Sequence, residues 1–371
     1  MPHHDPLVAP EGGDTGAQDR RTKVAERAEH RRALASAIGL LALASCSSVG
    51  AGVLDVLSLL GANWAPGAYR HVLMAQLVAA SLTSLWLLRA VAVRARGGQL
   101  PPVRRRFQCG AAAACGVIAT VTAVPSLETG QLGPALFAVA VAWLALEVTR
   151  ARRVALDLTL GTKAAPGQHR TWHVVGGTVV ACVAGAVVMG VSANLLRLLD
   201  AGGTVPVMAG SQLSALGIGG AVDLVLTVLR AALLEDLVVV AAGSTLLTAA
   251  NRPTWQIYTT ICTLEILLHA YLGAPALAMA LYAAGRLWLF RRYALVTPMM
   301  IGHAGYDLLG GLFLSLSVRY RLLITLPCLA AFLLARRITQ RRTDRGNRHG
   351  ATSAAERISE APATTHERPT A

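Results

Sequence analysis

Apolar residues in this chain neither alternate nor recur at a helical surface spacing; over long stretches they simply continue. Such runs cover about 34–60, 71–93, 108–125, 132–149 and 172–196. A second set covers about 220–249, 255–272, 275–290, 296–316 and 320–335. An apolar run of about 18 residues or more is long enough to cross a hydrocarbon core of about 30 Å as a helix. The pattern therefore predicts an all-α fold: a polytopic membrane helix bundle of about ten transmembrane helices.

The polar segments set the boundaries. Residues 1–32 are expected to form a disordered basic cytoplasmic tail. Residues 33–198 carry the first group of transmembrane helices, and 199–219 form a Gly-rich connection. Residues 220–317 make a second membrane core, 318–337 the last transmembrane helix, and 338–371 a second disordered cytoplasmic tail.

Composition agrees with this picture. Hydrophobic residues make up 54% of the chain and aromatic residues 5%, as in a polytopic membrane protein. The formal net charge is +14, yet most Arg residues sit in tails and short loops, where membrane topology requires them. Nucleic acid is not an expected partner. If the basic N-terminal tail is cytoplasmic, every second loop should be basic. The second loop has Arg94, Arg96, Arg104, Arg105 and Arg106, and the fourth has Arg150, Arg152, Arg153, Lys163 and Arg170. Arg252, then Arg291 and Arg292, continue the series, while Arg319 and Arg321 break it. Both termini are thus expected in the cytoplasm, with the chain in the cell membrane. The six cysteines form no C-x-x-C pair and lie in or beside apolar runs, so neither a zinc cage nor a disulfide framework is expected.

Candidate chemistry lies in the second group of helices. Glu235-Asp236, Glu265 with His269, and His303 with Asp307 put ionisable groups where lipid should be the solvent. Such groups are costly there and usually face a protein interior or a wet cavity. Positions 235 and 269 are equidistant from 252, in the Asn251-Arg252-Pro253 turn, so Glu235 and His269 lie at nearly one depth. Residues i and i+4 share a helix face, which pairs Glu265 with His269 and His303 with Asp307. Glu235 and Asp236 are about 100° apart on an ideal helix, so one of them is expected to aim straight into the site. Asp236 also has helix-borne arginines, Arg230 or Arg286, as alternative partners.

A carboxylate and imidazoles around a small wet cavity can activate water, the carboxylate as general base. A second imidazole can donate a hydrogen bond to a developing oxyanion. No G-x-S-x-G, H-E-x-x-H or Gly-rich phosphate loop occurs in a supporting context.

At these residues the chain resembles the CPBP family of intramembrane proteases, the CAAX-protease and bacteriocin-processing group. That family carries Glu-Glu-x3-Arg, Phe-x3-His and His-x3-Asn motifs. Here the matching text is Glu235-Asp236, Glu265 to His269, and His303 to Asp307, within a resemblance covering about 220–315. Asp236 stands for the second Glu, no Arg follows in 237–241, Glu265 stands for the aromatic residue, and Asp307 stands for Asn. The resemblance implies an intramembrane endopeptidase acting on a membrane-anchored protein or peptide. Glu235, assisted by His269, would deprotonate water; His303 and Asp307 would steady the oxyanion; Asp236 and Glu265 would support them. No cofactor is expected. A zinc ion held by His269, His303 and Glu235 is the alternative. A proton-coupled transporter and a catalytically silent membrane scaffold remain open as other readings of the same buried charges.

Overall fold

The computed structural model describes residues 15–97, 101–124, 130–160, 168–199, 205–208 and 212–313, with isolated positions between 319 and 337. The tail at 338–371 and most of the expected helix at 318–337 lie outside the described residues. Residues Met1–Leu312 form one compact unit and Phe313–Ala371 a second. All candidate site residues belong to the first.

The long helices are α1 (Thr15–Leu59), α2 (Ala65–Arg96), α3 (Pro102–Thr122), α4 (Leu132–Ala151), α5 (Gln168–Leu199), α6 (221–249), α7 (Thr254–Leu268), α8 (Met279–Tyr293) and α9 (Val296–Phe313). Among the described residues, extended backbone pairs only at two isolated bridges. Among the described residues, four helices are long and apolar enough to cross a membrane: Thr22–Leu59, Ala65–Arg96, Leu132–Ala151 and Arg170–Leu199.

Four elements depart from the sequence expectation. α1 starts at Thr15, inside the stretch 1–32 whose composition suggested disorder. From Ala17 to Arg32 the chain has neither Gly nor Pro and is rich in Ala, Glu and Arg. These are strong helix formers, and they extend a helix whose nucleation is already met by the apolar run. The Gly-rich connection begins later than 199, because α5 continues to Leu199. α7 and α8 have 15 residues each, about 22 Å at 1.5 Å per residue, shorter than the runs that predicted them.

α7 stops at His269, and two 3₁₀ turns, Ala270–Leu272 and Ala274–Ala278, lead into α8. The turns hinge on Gly273, at φ 75° and ψ −146°, a conformation that glycine alone adopts readily. A Cβ there would lie 2.1 Å from the Pro206 carbonyl oxygen. The segment 205–208 pairs with this turn: Ala274 N donates to Pro206 O at 2.8 Å, and Met208 N to Leu272 O at 3.2 Å.

α4 is the central post. Of its most apolar window 67% is buried, against 22% for α2, and it packs on α2, α3 and α6. A charged staple fixes one end of the bundle. Glu147 on α4 is buried and meets Arg94 of α2 at 2.8 Å and Arg150 at 3.2 Å. Arg94 also donates to Gln108 of α3 at 2.5 Å. Arg152 reaches Glu29 of α1 at 3.6 Å and Ser36 at 3.2 Å.

α5 lies against α8 along a seam of small residues. A Cβ on Gly177 would meet Leu289 at 2.8 Å, a Cβ on Gly285 would meet Ala181 at 2.7 Å, and a Cβ on Gly185 would meet the Tyr282 Cβ at 2.8 Å. Gly177, Ala181 and Gly185 are four residues apart and so share one face. Small residues at this spacing let membrane helices approach closely. This seam seats the face of α8 that carries Tyr282 and Arg286.

Candidate functional site

Four helices deliver the site, and its hub is a guanidinium. Arg286 on α8 is fully buried. Its Nη1 donates to Asp236 Oδ1 at 2.5 Å, and its Nη2 to Glu265 Oε1 at 2.6 Å. Nη2 also lies 3.5 Å from Glu235 Oε2, and Nη1 3.3 Å from His303 Nδ1. The guanidinium carbon sits 3.8 Å from the centre of the Tyr282 ring, a cation–π contact made by residues four apart on one helix.

Both acids of α6 reach this hub. The helix is π-bonded over Ala232–Gly243, so its turn there is wider than an α-turn. Asp236 binds Arg286 directly and Glu235 touches it from the same side, instead of one of the two pointing away. Val238 through Ala242 are buried at 0–1% exposure, as expected of a helix enclosed on all sides.

His303 on α9 is held at both ring nitrogens. Nδ1 lies 2.9 Å from Asp236 Oδ2, and Nε2 is hydrogen-bonded to the Tyr282 hydroxyl. Nε2 also stands 3.2 Å from Asp307 Oδ2 and 3.9 Å from Glu235 Oε2. The Tyr282 hydroxyl in turn lies 3.5 Å from Glu235 Oε2. An unbroken chain of polar groups thus runs Asp236, His303, Tyr282, Glu235.

His269 takes a separate place. At the C-terminal cap of α7, its Nδ1–H donates to the Glu265 carbonyl oxygen at 2.9 Å. In the neutral ring that bond leaves Nε2 as the acceptor. The ring stands 6.2 Å from Tyr282 and 6.0 Å from Tyr271, centre to centre. Its partner at i−4, the Glu265 carboxylate, is 3.8 Å away.

Exposure divides the cluster into two layers. Asp236, Glu265 and Arg286 are closed to solvent and His303 nearly so. Glu235, His269 and Asp307 retain 15%, 13% and 29% of their side-chain surface. The inner layer is the charged frame; the outer layer is the most accessible part of the cluster, and Tyr282, at 4% exposure, borders it through Glu235.

The expected residues therefore stand as follows. Glu235, Asp236, Glu265 and His303 come together around Arg286, Asp307 stands beside His303, and His269 lies on the margin beside Tyr282. Of the two arginines the sequence offered to Asp236, Arg286 takes the place and Arg230 does not. Of the residues named for a zinc ion, Glu235 Oε2 and His303 Nε2 are 3.9 Å apart, with His269 at the margin. Both nitrogens of His303 face protein groups, a guanidinium fills the centre, and no three His, Cys, Asp or Glu side chains among the described residues form a metal group. The sequence pattern does not single out Tyr282. The available signal was its spacing: Tyr282 and Arg286 are i,i+4 in an apolar helix.

An apolar groove runs between α6 and α9, lined by residues including Val225, Leu229, Ala304 and Leu308. Ala304 and Leu308 each follow a site residue, His303 and Asp307, by one position. Comparison with protein-family models finds no match, and neither curated proteins nor solved structures give one.

Proposed function

We propose that the chain is an intramembrane peptide hydrolase of the CPBP type, lying in the cell membrane with both termini in the cytoplasm and cleaving a membrane-anchored protein or peptide. The observation that carries this reading is Glu235. It is a partly accessible carboxylate on a π-bonded stretch, backed by the buried Arg286 cation and the His303 imidazole.

Glu235 takes a proton from water, and the hydroxide equivalent attacks a peptide carbonyl. Arg286 holds Asp236 and Glu265 in place and offsets their charge, so that Glu235 can act beside them. His269 Nε2 serves as a second acceptor at the edge of the site. Asp307 acts by orienting His303.

The test uses the full-length protein in lipid vesicles with a panel of quenched-fluorescent peptides, each carrying one apolar membrane-spanning segment. Cleavage by the wild type should fall at least about 100-fold in Glu235→Gln, the scale of a lost general base. Equal rates in the two proteins would overturn the reading. Solute or proton flux that follows the same substitution would favour a carrier.

A further inference from the structure

Within the hydrolytic reading, on which this inference rests, one polar group has no assigned part although it touches two residues that have one. Tyr282 is 4% exposed, and its hydroxyl faces both His303 Nε2 and Glu235 Oε2. His303 cannot serve an oxyanion with either ring nitrogen while they face Asp236 on one side and Tyr282 and Asp307 on the other. Asp307, a carboxylate at 3.2 Å from that ring, would repel an oxyanion when ionised. The oxyanion donor has to come from elsewhere in the cluster.

We propose that Tyr282 is a catalytic residue, and that its hydroxyl supplies the hydrogen bond to the oxyanion. With His303 Nε2–H donating to the tyrosine oxygen, the tyrosine O–H is free to donate onward to Glu235. The three groups then form an oriented line: Asp236 fixes His303, and His303 polarises Tyr282. This is the orienter, imidazole and hydroxyl logic of hydrolytic triads, with the hydroxyl serving as donor instead of nucleophile.

The step balances without a further reactant. The water oxygen bonds to the carbonyl carbon, and its proton passes to Glu235. The carbonyl π pair moves onto oxygen, and the Tyr282 O–H turns from Glu235 to that oxygen. Collapse returns the pair, the C–N bond breaks, and the proton on Glu235 goes to the departing amine. Protonation of Glu235 is what frees the tyrosine O–H, so the donor becomes available as the negative charge develops. That timing favours the transition state over the ground state.

Tyr282→Phe tests this, because it keeps the ring over Arg286 and against Gly185 and removes only the hydroxyl. In the vesicle assay its kcat should fall about 100-fold with KM changed less than about twofold, the loss expected for one oxyanion donor. In histidine-¹⁵N NMR the same substitution should shift the His303 Nε2 resonance. Three results would overturn the assignment: near-wild-type kcat in Tyr282→Phe while Glu235→Gln is inactive, an unmoved Nε2 resonance, or loss of the cooperative melting transition, which would mark the residue as structural. If Glu235→Gln and wild type cleave alike, the hydrolytic reading itself fails, and Tyr282 has no oxyanion to serve.

Discussion

Arg286 and Asp236 lie 2.5 Å apart with neither side chain open to solvent, and they join helices that are 50 positions apart in the chain. The same guanidinium holds Glu265 at 2.6 Å. One cation therefore compensates two fully buried acids and touches a third.

Breaking a buried ion pair from one side leaves an uncompensated charge, and typically costs about 3–5 kcal/mol. Arg286→Ala should destabilise the protein by that amount, read as a shift in the denaturation midpoint in detergent micelles. Adding Asp236→Asn and Glu265→Gln to Arg286→Met should recover most of the stability while leaving the protein inactive. A stable Arg286→Ala single variant would show that water already reaches this layer.

The seam between α5 and α8 predicts a second effect. A Cβ on Gly185 would lie 2.8 Å from the Tyr282 Cβ, so Gly185→Ala must push the helices apart. Overpacking of this kind costs about 1–3 kcal/mol. The variant should melt lower and lose cleavage more than stability, because Tyr282 and Arg286 move with α8. Gly190, with open space around its Cβ position, is the control, and Gly190→Ala should change neither reading.

Gly273 predicts a third. Its positive φ and the nearness of Pro206 O leave no room for a side chain. Gly273→Ala should cost about 1–3 kcal/mol of backbone strain, relieved when the segment at 205–208 lets go of the 272–274 turn. Limited proteolysis should then cut near 205–208 faster than in the wild type, with α4 and its neighbours unaffected.

Much of the fold is readable in the sequence because an apolar run in lipid has few alternatives to a helix. The i,i+4 spacing was also enough to place Glu265 with His269 and His303 with Asp307, and four-residue spacing depends only on the helix itself. What faces a helix is another matter. Arg286 could be named only as one of two partners for Asp236, since the choice depends on how α6 and α8 rotate. The π-bonded stretch altered that rotation and brought Glu235 and Asp236 to the same cation. Nothing in the run Leu233 to Gly243 marks such a change of period. The early end of α7 did have a signal, Gly273 followed by Pro275 inside an apolar run, but the surrounding hydropathy hid it. The i,i+4 spacing of Tyr282 and Arg286 is a weak signal, because a tyrosine in an apolar helix is ordinary until a histidine and a carboxylate meet its hydroxyl.

The placement of the single central cation also bears on how the chain is made. During synthesis, α6 and α7 emerge with Glu235, Asp236 and Glu265 before Arg286 has left the ribosome. If these helices cross the membrane, a hairpin with three acids and only Arg230 to offset them is a poor guest for lipid. Such helices should then wait at the insertion machinery, or lean on earlier helices, until α8 arrives and the group can partition together. A chain truncated between α7 and α8 should fail to integrate even though most of its hydrophobic length is already present.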